Sequence, residues 1–247
     1  MRLLLVLCLL AGPAQAQRVV SLNLCTDDYL VLLAPAKIVA LSPLARDPAL
    51  SAVADEAAKI PWVRPDAEAV LALHPDLVLA GPYGAQTTLA ALESRGLRVE
   101  RTGFPQDFPA IRAETRRLAA ILGVGAAGET LLARMDARLA AVRPRPPLRT
   151  IGLGPRGYAA GPGSLQDAVL RAAGLANIGQ AGRLSLEAVA AHPPALLVVG
   201  EAPKTPSLAT DLLLHPVLRG IPRKTFPPAT MICAGPWTAD AVAALAE

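Results

Sequence analysis

Residues 67–80 read AEAVLALHPDLVLA, and residues 186–199 read LEAVAAHPPALLVV. Each copy is a short helical stretch carrying Glu-Ala-Val, a His-Pro stop and an apolar run. Proline disfavours helical geometry at the histidine before it, so each helix must end there and hand over to a strand. A unit of this kind occurring twice, more than a hundred residues apart, points to two related α/β lobes. The two copies are one residue out of step around the histidine.

The rest of the chain agrees with two lobes. Strand-like runs occur at Arg18–Leu22, Lys37–Leu41, Asp76–Ala80 and Leu97–Arg101, and again at Leu148–Leu153, Ala195–Val199 and Arg223–Phe226. Helical periodicity fills the gaps, for example over Asp66–Leu73 and Gln86–Arg95, and this alternation predicts an α/β fold with mostly parallel strands. From Phe108 to Val142 the pattern is helical with no strand. Gly123, Gly125 and Gly128 divide it into two consecutive helices, and the proline-rich stretch from Arg143 to Pro147 stops it. The expected organisation is a leader over 1–16, an α/β lobe over 17–106, a helical connector over 107–147 and a second α/β lobe over 148–247.

The leader is read from Arg2, an apolar run over Leu3–Leu10, the break at Gly12-Pro13 and Ala14-Gln15-Ala16 as a cleavage site. That run is too short to cross a bilayer. An exported, periplasmic protein is expected. Of the cysteines, Cys25 and Cys233 survive cleavage; they could form one disulfide or remain two separate thiols, since sequence does not report proximity. Net charge is +4 and the bases are scattered, with no basic stripe interleaved with aromatics, so nucleic acid is not expected as a partner.

Catalytic and metal signatures are weak. Gly152-Leu-Gly154-Pro-Arg-Gly157 fits G-x-G-x-x-G, but Tyr158-Ala-Ala-Gly161-Pro-Gly163 leaves no helix to hold a pyrophosphate. His74, His192 and His215 each precede a proline, and none has a His or Cys at zinc-ligand spacing. Soft ligation by Cys25, Met231 and Cys233 is a further option. Ser164 has no glycine two residues on, so it is a helix N-cap, with Asp167 as its capping partner, rather than a nucleophile. No spaced carboxylate pair or Ser/His/Asp set suggests catalysis, and no cofactor or resident metal is expected.

Aromatic residues make up only 3% of the chain, so each one in a loop is worth locating. Trp62 follows Pro61. Tyr83 and Tyr158 each lie past a strand end, once per lobe, where α/β sheets bind ligands. Trp237 lies in Gly235-Pro-Trp237. Trp62 and Trp237 could equally anchor their loops on the core. Arg46, Arg156 and Arg183 lie in loops and could meet an anion.

The segments RVVSLN (18–23), IVALSP (38–43), AEAVLALHPDLVLAG (67–81), GPGSLQDAVLRAAGLANI (161–178) and LSLEAVAAHPPALLVV (184–199), in this order, make the chain similar to the periplasmic binding proteins of ABC importers for cobalamin, haem and ferric siderophores. The resemblance covers nearly the whole mature chain. It implies two Rossmann-like lobes joined by a long backbone helix, here Ala126 to Val142, with the ligand between the lobes. It also implies one permease-docking glutamate per lobe, at Glu68 and Glu187. The ligand-facing residues would be Trp62, Tyr83, Tyr158, Trp237 and Arg46. The implied function is capture of an iron chelate or corrinoid by a monomer and its delivery to an ABC permease. A cobalamin-specific protein, an exported enzyme and a bare-metal binder are the alternatives. Asn23-Leu-Cys25-Thr-Asp27 departs from the family's common pattern at the first strand end.

Overall fold

A computed structural model describes residues 17–201 and 211–247. The expected leader over 1–16 lies outside the described residues. Among the described residues, no helix is long and apolar enough to cross a membrane.

The first lobe runs β1 (Val19–Ser21), α1 (Leu24–Leu33), β2 (Ile38–Ala40), α2 (Ala54–Ala57), α3 (Ala67–Ala72), β3 (Leu77–Ala80), α4 (Gln86–Ser94) and β4 (Arg98–Arg101). Its strands form one parallel sheet in the order β2-β1-β3-β4. All four residues of β3 are buried, as befits a parallel strand covered on both faces. Leu77 and Leu79 pack with α1 and the connector, whereas Val78 and Ala80 pack with α3 and α4.

The second lobe runs β5 (Leu148–Leu153), β6 (Tyr158–Ala159), α7 (Leu165–Ala172), β7 (Leu175–Asn177), β8 (Gly182–Arg183), α8 (Leu186–Ala191), β9 (Leu196–Gly200), α9 (Pro216–Arg219), β10 (Arg223–Phe226), α10 (Ala229–Ile232) and α11 (Thr238–Ala246); the numbering leaves α5 and α6 for the connector. Its parallel strands are ordered β7-β5-β9-β10. In each lobe, then, the second strand pairs with the first, the first with the third and the third with the fourth. The sequence repeat falls on equivalent pieces, α3-β3 and α8-β9. Both helices are capped alike: Asp66 accepts from the Ala69 amide at 2.8 Å, and Ser185 from the Ala188 amide at 3.1 Å. Both end at a non-helical histidine, with φ 47° at His74 and −138° at His192.

The connector is a helical hairpin, α5 (Phe108–Ile121) and α6 (Gly125–Ala140). Gly123, with φ 66°, ends the first helix. A Cβ on Gly128 would lie 2.7 Å from that of Ala119, so glycine lets the two helices approach closely. The hairpin belongs to both cores. Leu118, Ala119 and Leu122 join the core of the first lobe, while Phe108, Ile111, Leu132 and Met135 join that of the second. The single backbone helix expected over 126–142 is thus one arm of a pair, and it stops at Ala140. Both arms cross between the lobes because each carries an apolar face for either core.

A second tie joins the lobes. Cys25 on α1 and Cys233 before α11 form a disulfide, with their Cα atoms 5.1 Å apart. This answers the question left open by sequence and removes both sulfurs from any soft-metal site.

Candidate functional site

In both lobes, the loops after the carboxyl ends of the strands carry the exposed apolar side chains. Of the eight large hydrophobic residues exposed among the described residues, six follow strand ends: Leu44 and Trp62 after β2, Tyr83 after β3, Phe104 after β4, Tyr158 after β5 and Ile232 after β10. Single exposed hydrophobics are ordinary, but their concentration on one end of both sheets marks a ligand surface.

The first-lobe wall is built from β2 to β4. Leu41 forms a parallel bridge with Trp62; the Leu41 amide donates to Pro61 O and the Val63 amide to Leu41 O, both at 2.9 Å. These bonds fix the turn that presents the half-exposed indole. The Arg46 guanidinium donates to the Ile60 carbonyl, so this exposed arginine braces the same turn from the other side. Tyr83 is 75% exposed and lies edge-on to Phe104, with ring centroids 6.4 Å apart. Phe104 is not among the residues singled out from sequence. Its signal was the one that marked Tyr83: an aromatic beside glycine and proline just past a strand.

Gly81 is required below this wall. A Cβ there would lie 2.6 Å from Asn23 Nδ2. Asn23 caps α1, its side chain accepting from the Cys25 amide at 3.0 Å.

The second-lobe wall centres on Tyr158. The glycine motif opens no helix, as expected, because β5 turns straight back into antiparallel β6. Arg156 (φ 57°) and Gly157 (φ 76°) make the turn, and the Gly154 amide donates to the Tyr158 carbonyl at 2.7 Å. Strand β8 then places Arg183 directly opposite Tyr158. Both side chains are exposed. Ser164 caps α7 as read, accepting from the Asp167 amide at 3.1 Å. Asp167 reaches back one residue further than expected, to the Gly163 amide.

Trp237 takes a different place. It is 7% exposed, its indole donates to the Cys233 carbonyl at 2.9 Å, and its ring lies edge-on to Tyr29 at 4.9 Å. Of the two readings left open for it, the ring takes the core one: packing against Tyr29 of α1 buries it, where the other reading had it facing a ligand.

Two carboxyl groups lie fully buried behind the first-lobe wall. Asp27 accepts from the amide and hydroxyl of Ser42, and Asp28 accepts from the Ser51 hydroxyl at 2.8 Å. Burial raises each to about 7, against the bonds that favour the charged form. Tyr29 beside them is also raised, again chiefly by burial.

Glu68 and Glu187 are exposed second residues of α3 and α8. The Glu187 carboxyl is lowered by its own amide and by the Ser185 hydroxyl. A groove of about 360 Å³ lies beside α8, lined by Arg149, Ile151, Arg183, Val189 and His192 among others. No first-lobe residue lines it, so it is a feature of one lobe. Among the described residues, no group of three His, Cys, Asp or Glu side chains could hold a metal ion.

Residues 19–222 match the family of periplasmic binding proteins. The chain belongs to this family. It is similar in structure to the periplasmic heme-binding protein RhuT from Roseiflexus sp. RS-1 in its apo form, with 25% identity and a TM-score of 0.73 over 94% of this chain and 97% of that one. It is likewise similar to a periplasmic heme-binding protein from Pseudomonas aeruginosa, with 26% identity and a TM-score of 0.69 over 93% and 91%. The periplasmic vitamin B12-binding protein BtuF of Vibrio cholerae shares the fold at 19% identity, with a TM-score of 0.66 over 94% and 95%. No curated protein matches the sequence.

Proposed function

We propose that the protein captures a flat ferric chelate of the haem class between its lobes and delivers it to an ABC permease. Tyr83 carries this reading. Its phenol stands exposed past the end of β3, one of the two inner strands of the first-lobe sheet. A phenol oxygen is a hard donor suited to ferric iron, and tyrosine is one of the axial ligands that hold haem iron. Phe104, Trp62 and Tyr158 supply apolar faces for a planar macrocycle. Arg46 and Arg183 supply guanidinium groups for peripheral carboxylates. The two relatives at 25% and 26% identity are named as haem binders, which supports this reading over a corrinoid.

Capture is stoichiometric and involves no turnover. The protein acts as a periplasmic monomer, in keeping with the leader read over 1–16. Glu68 and Glu187 dock it on the permease: two carboxylates at the same helical position, one per lobe, set register and association rate.

Thermal unfolding with hemin, cyanocobalamin, a ferric hydroxamate and a ferric catecholate in parallel tests the reading. Ligand at ~100 times its dissociation constant adds about 2.7 kcal/mol. A shift with hemin alone is expected. A shift with cyanocobalamin and none with hemin would overturn it.

A further inference from the structure

The segment from Ser42 to Ser51 carries Leu44 and Arg46 at the rim of the cleft, and each end is tied to one of two adjacent residues of α1. Ser42 is held by Asp27 and Ser51 by Asp28. Ser51 passes the hold onward, its hydroxyl accepting from the Val53 amide at 3.1 Å. Both carboxyls and both serines are buried. Asp28 Oδ2 is buried with no partner. Among the described residues, no Lys, Arg or His side chain bonds to either carboxyl. The surrounding ionisable groups are engaged or turned outward. Tyr29 bonds toward Thr115 and Ala234; Glu114 on α5 is bound by Arg117 and the Gly103 amide; Asp47 accepts from Ala49; Arg46 donates to Ile60; and Asp55 and Glu56 on α2 are exposed. The pair therefore lacks the counter-charge that would make two buried anions tolerable.

We propose that Asp27 and Asp28 are positioning residues that hold the 42–51 rim in place while they are neutral and release it when they become charged. The inference rests on the binding role given above. Ionising Asp28 puts charge on a buried carboxyl that has the Ser51 hydroxyl and the Ala52 amide beside it but no cation, and hydrating that charge would require the rim to lift. Cargo affinity would then follow pH through the rim rather than through the chelate.

Acrylamide quenching of tryptophan fluorescence without any ligand tests the latch. Arg46 of the rim bonds the Ile60 carbonyl in the turn that carries Trp62, whereas Trp237 is buried, so quenching reads the rim. In the wild type the quenching constant should rise about twofold between about pH 5.5 and 8.5. Asp27→Asn with Asp28→Asn keeps both groups neutral and should hold the constant low throughout. Ser51→Ala, which leaves both carboxyls in place, should raise it even at the lower pH. A flat wild-type profile, a rise retained in the double asparagine variant, or a Ser51→Ala profile like the wild type would each overturn the proposal. So would an equal rise in Trp62→Phe, where only the core indole emits. Hemin binding does not enter this test, so failure of the haem reading would appear separately, as no hemin-induced shift beside an intact latch.

Discussion

Tyr158 and Arg183 stand directly opposite each other on the antiparallel strands β6 and β8, at the end of the second lobe that faces away from the start of β5. Directly opposed residues in such a ladder point to the same side of the sheet. An aromatic face and a guanidinium are thus offered together, which suits a planar ligand with an anionic edge. Tyr158→Ala and Tyr83→Ala should each weaken hemin binding by roughly 1–3 kcal/mol, the scale for truncating a buried aromatic contact. Affinities by titration check this; unchanged values in both variants would mean that the ligand lies elsewhere.

Docking predicts a separation of phenotypes. Replacing Glu68 and Glu187 together by Lys should abolish uptake through the permease while leaving ligand affinity intact, because both side chains are exposed and lie on helices outside the strand-end loops. Normal uptake by the double variant would remove the two glutamates from the docking surface.

Stability should fall as pH rises from about 5 to 8. Asp27 and Asp28 are raised to about 7 in the folded chain, above their ordinary value of 3.8. Between those values the folded state binds more protons than the unfolded one, so their contribution to stability is lost as pH rises through the folded value. Asp167, Glu93 and Glu129 are shifted the opposite way, and their contributions change at more acidic pH. Urea unfolding across this window checks the sign, and Asp28→Asn should reduce the slope.

Removing the disulfide by Cys25→Ser with Cys233→Ser should cost about 2–5 kcal/mol, the range for native disulfides. Denaturant midpoints of the two forms measure it. An unchanged midpoint would mean that the helical hairpin and the Tyr29–Trp237 contact hold the lobes by themselves.

Gly81→Ala should destabilise the chain, since the added methyl overlaps the Asn23 amide that caps α1. Loss of a cap costs about 1 kcal/mol. Gly125, the first residue of α6, gives the contrast: a Cβ there would meet nothing within 4 Å.

The sequence made the two-lobe plan legible because seven strand segments, most of them apolar runs, alternate with helical stretches, and the structure keeps all seven. Strands β6, β7 and β8 escaped because Tyr-Ala, Leu-Ala-Asn and Gly-Arg hold no β-branched residue, unlike the short strands β1 and β2. Gly182-Arg183 holds no strand-forming residue, and its extended state comes from pairing with Tyr158 and Ala159. Two lobes also followed from the Glu-Ala-Val repeat, but the shared strand order needed the pairing itself. Among the candidate wall residues, Tyr83 and Tyr158 stand out in the sequence by their position after a strand, and Phe104 meets the same criterion. Trp237 was misplaced because a Gly-Pro-Trp loop reads alike whether its ring faces ligand or core. Only the approach of Tyr29, 208 residues away in the sequence, decides that. The roles of Asp27 and Asp28 were hidden for the same reason: adjacent aspartates near a helix start read as exposed capping residues until their serine partners are in place.

The bond between Cys25 and Cys233 turns most of the described chain into a covalent ring. Every strand except β1 lies inside it, as does the helical hairpin. One cut by a protease in any exposed loop between those residues would open the ring without dividing it. The fragments would stay together until reductant was added. A protein exported into a compartment with proteases could therefore be nicked once and still present both walls of its cleft in register.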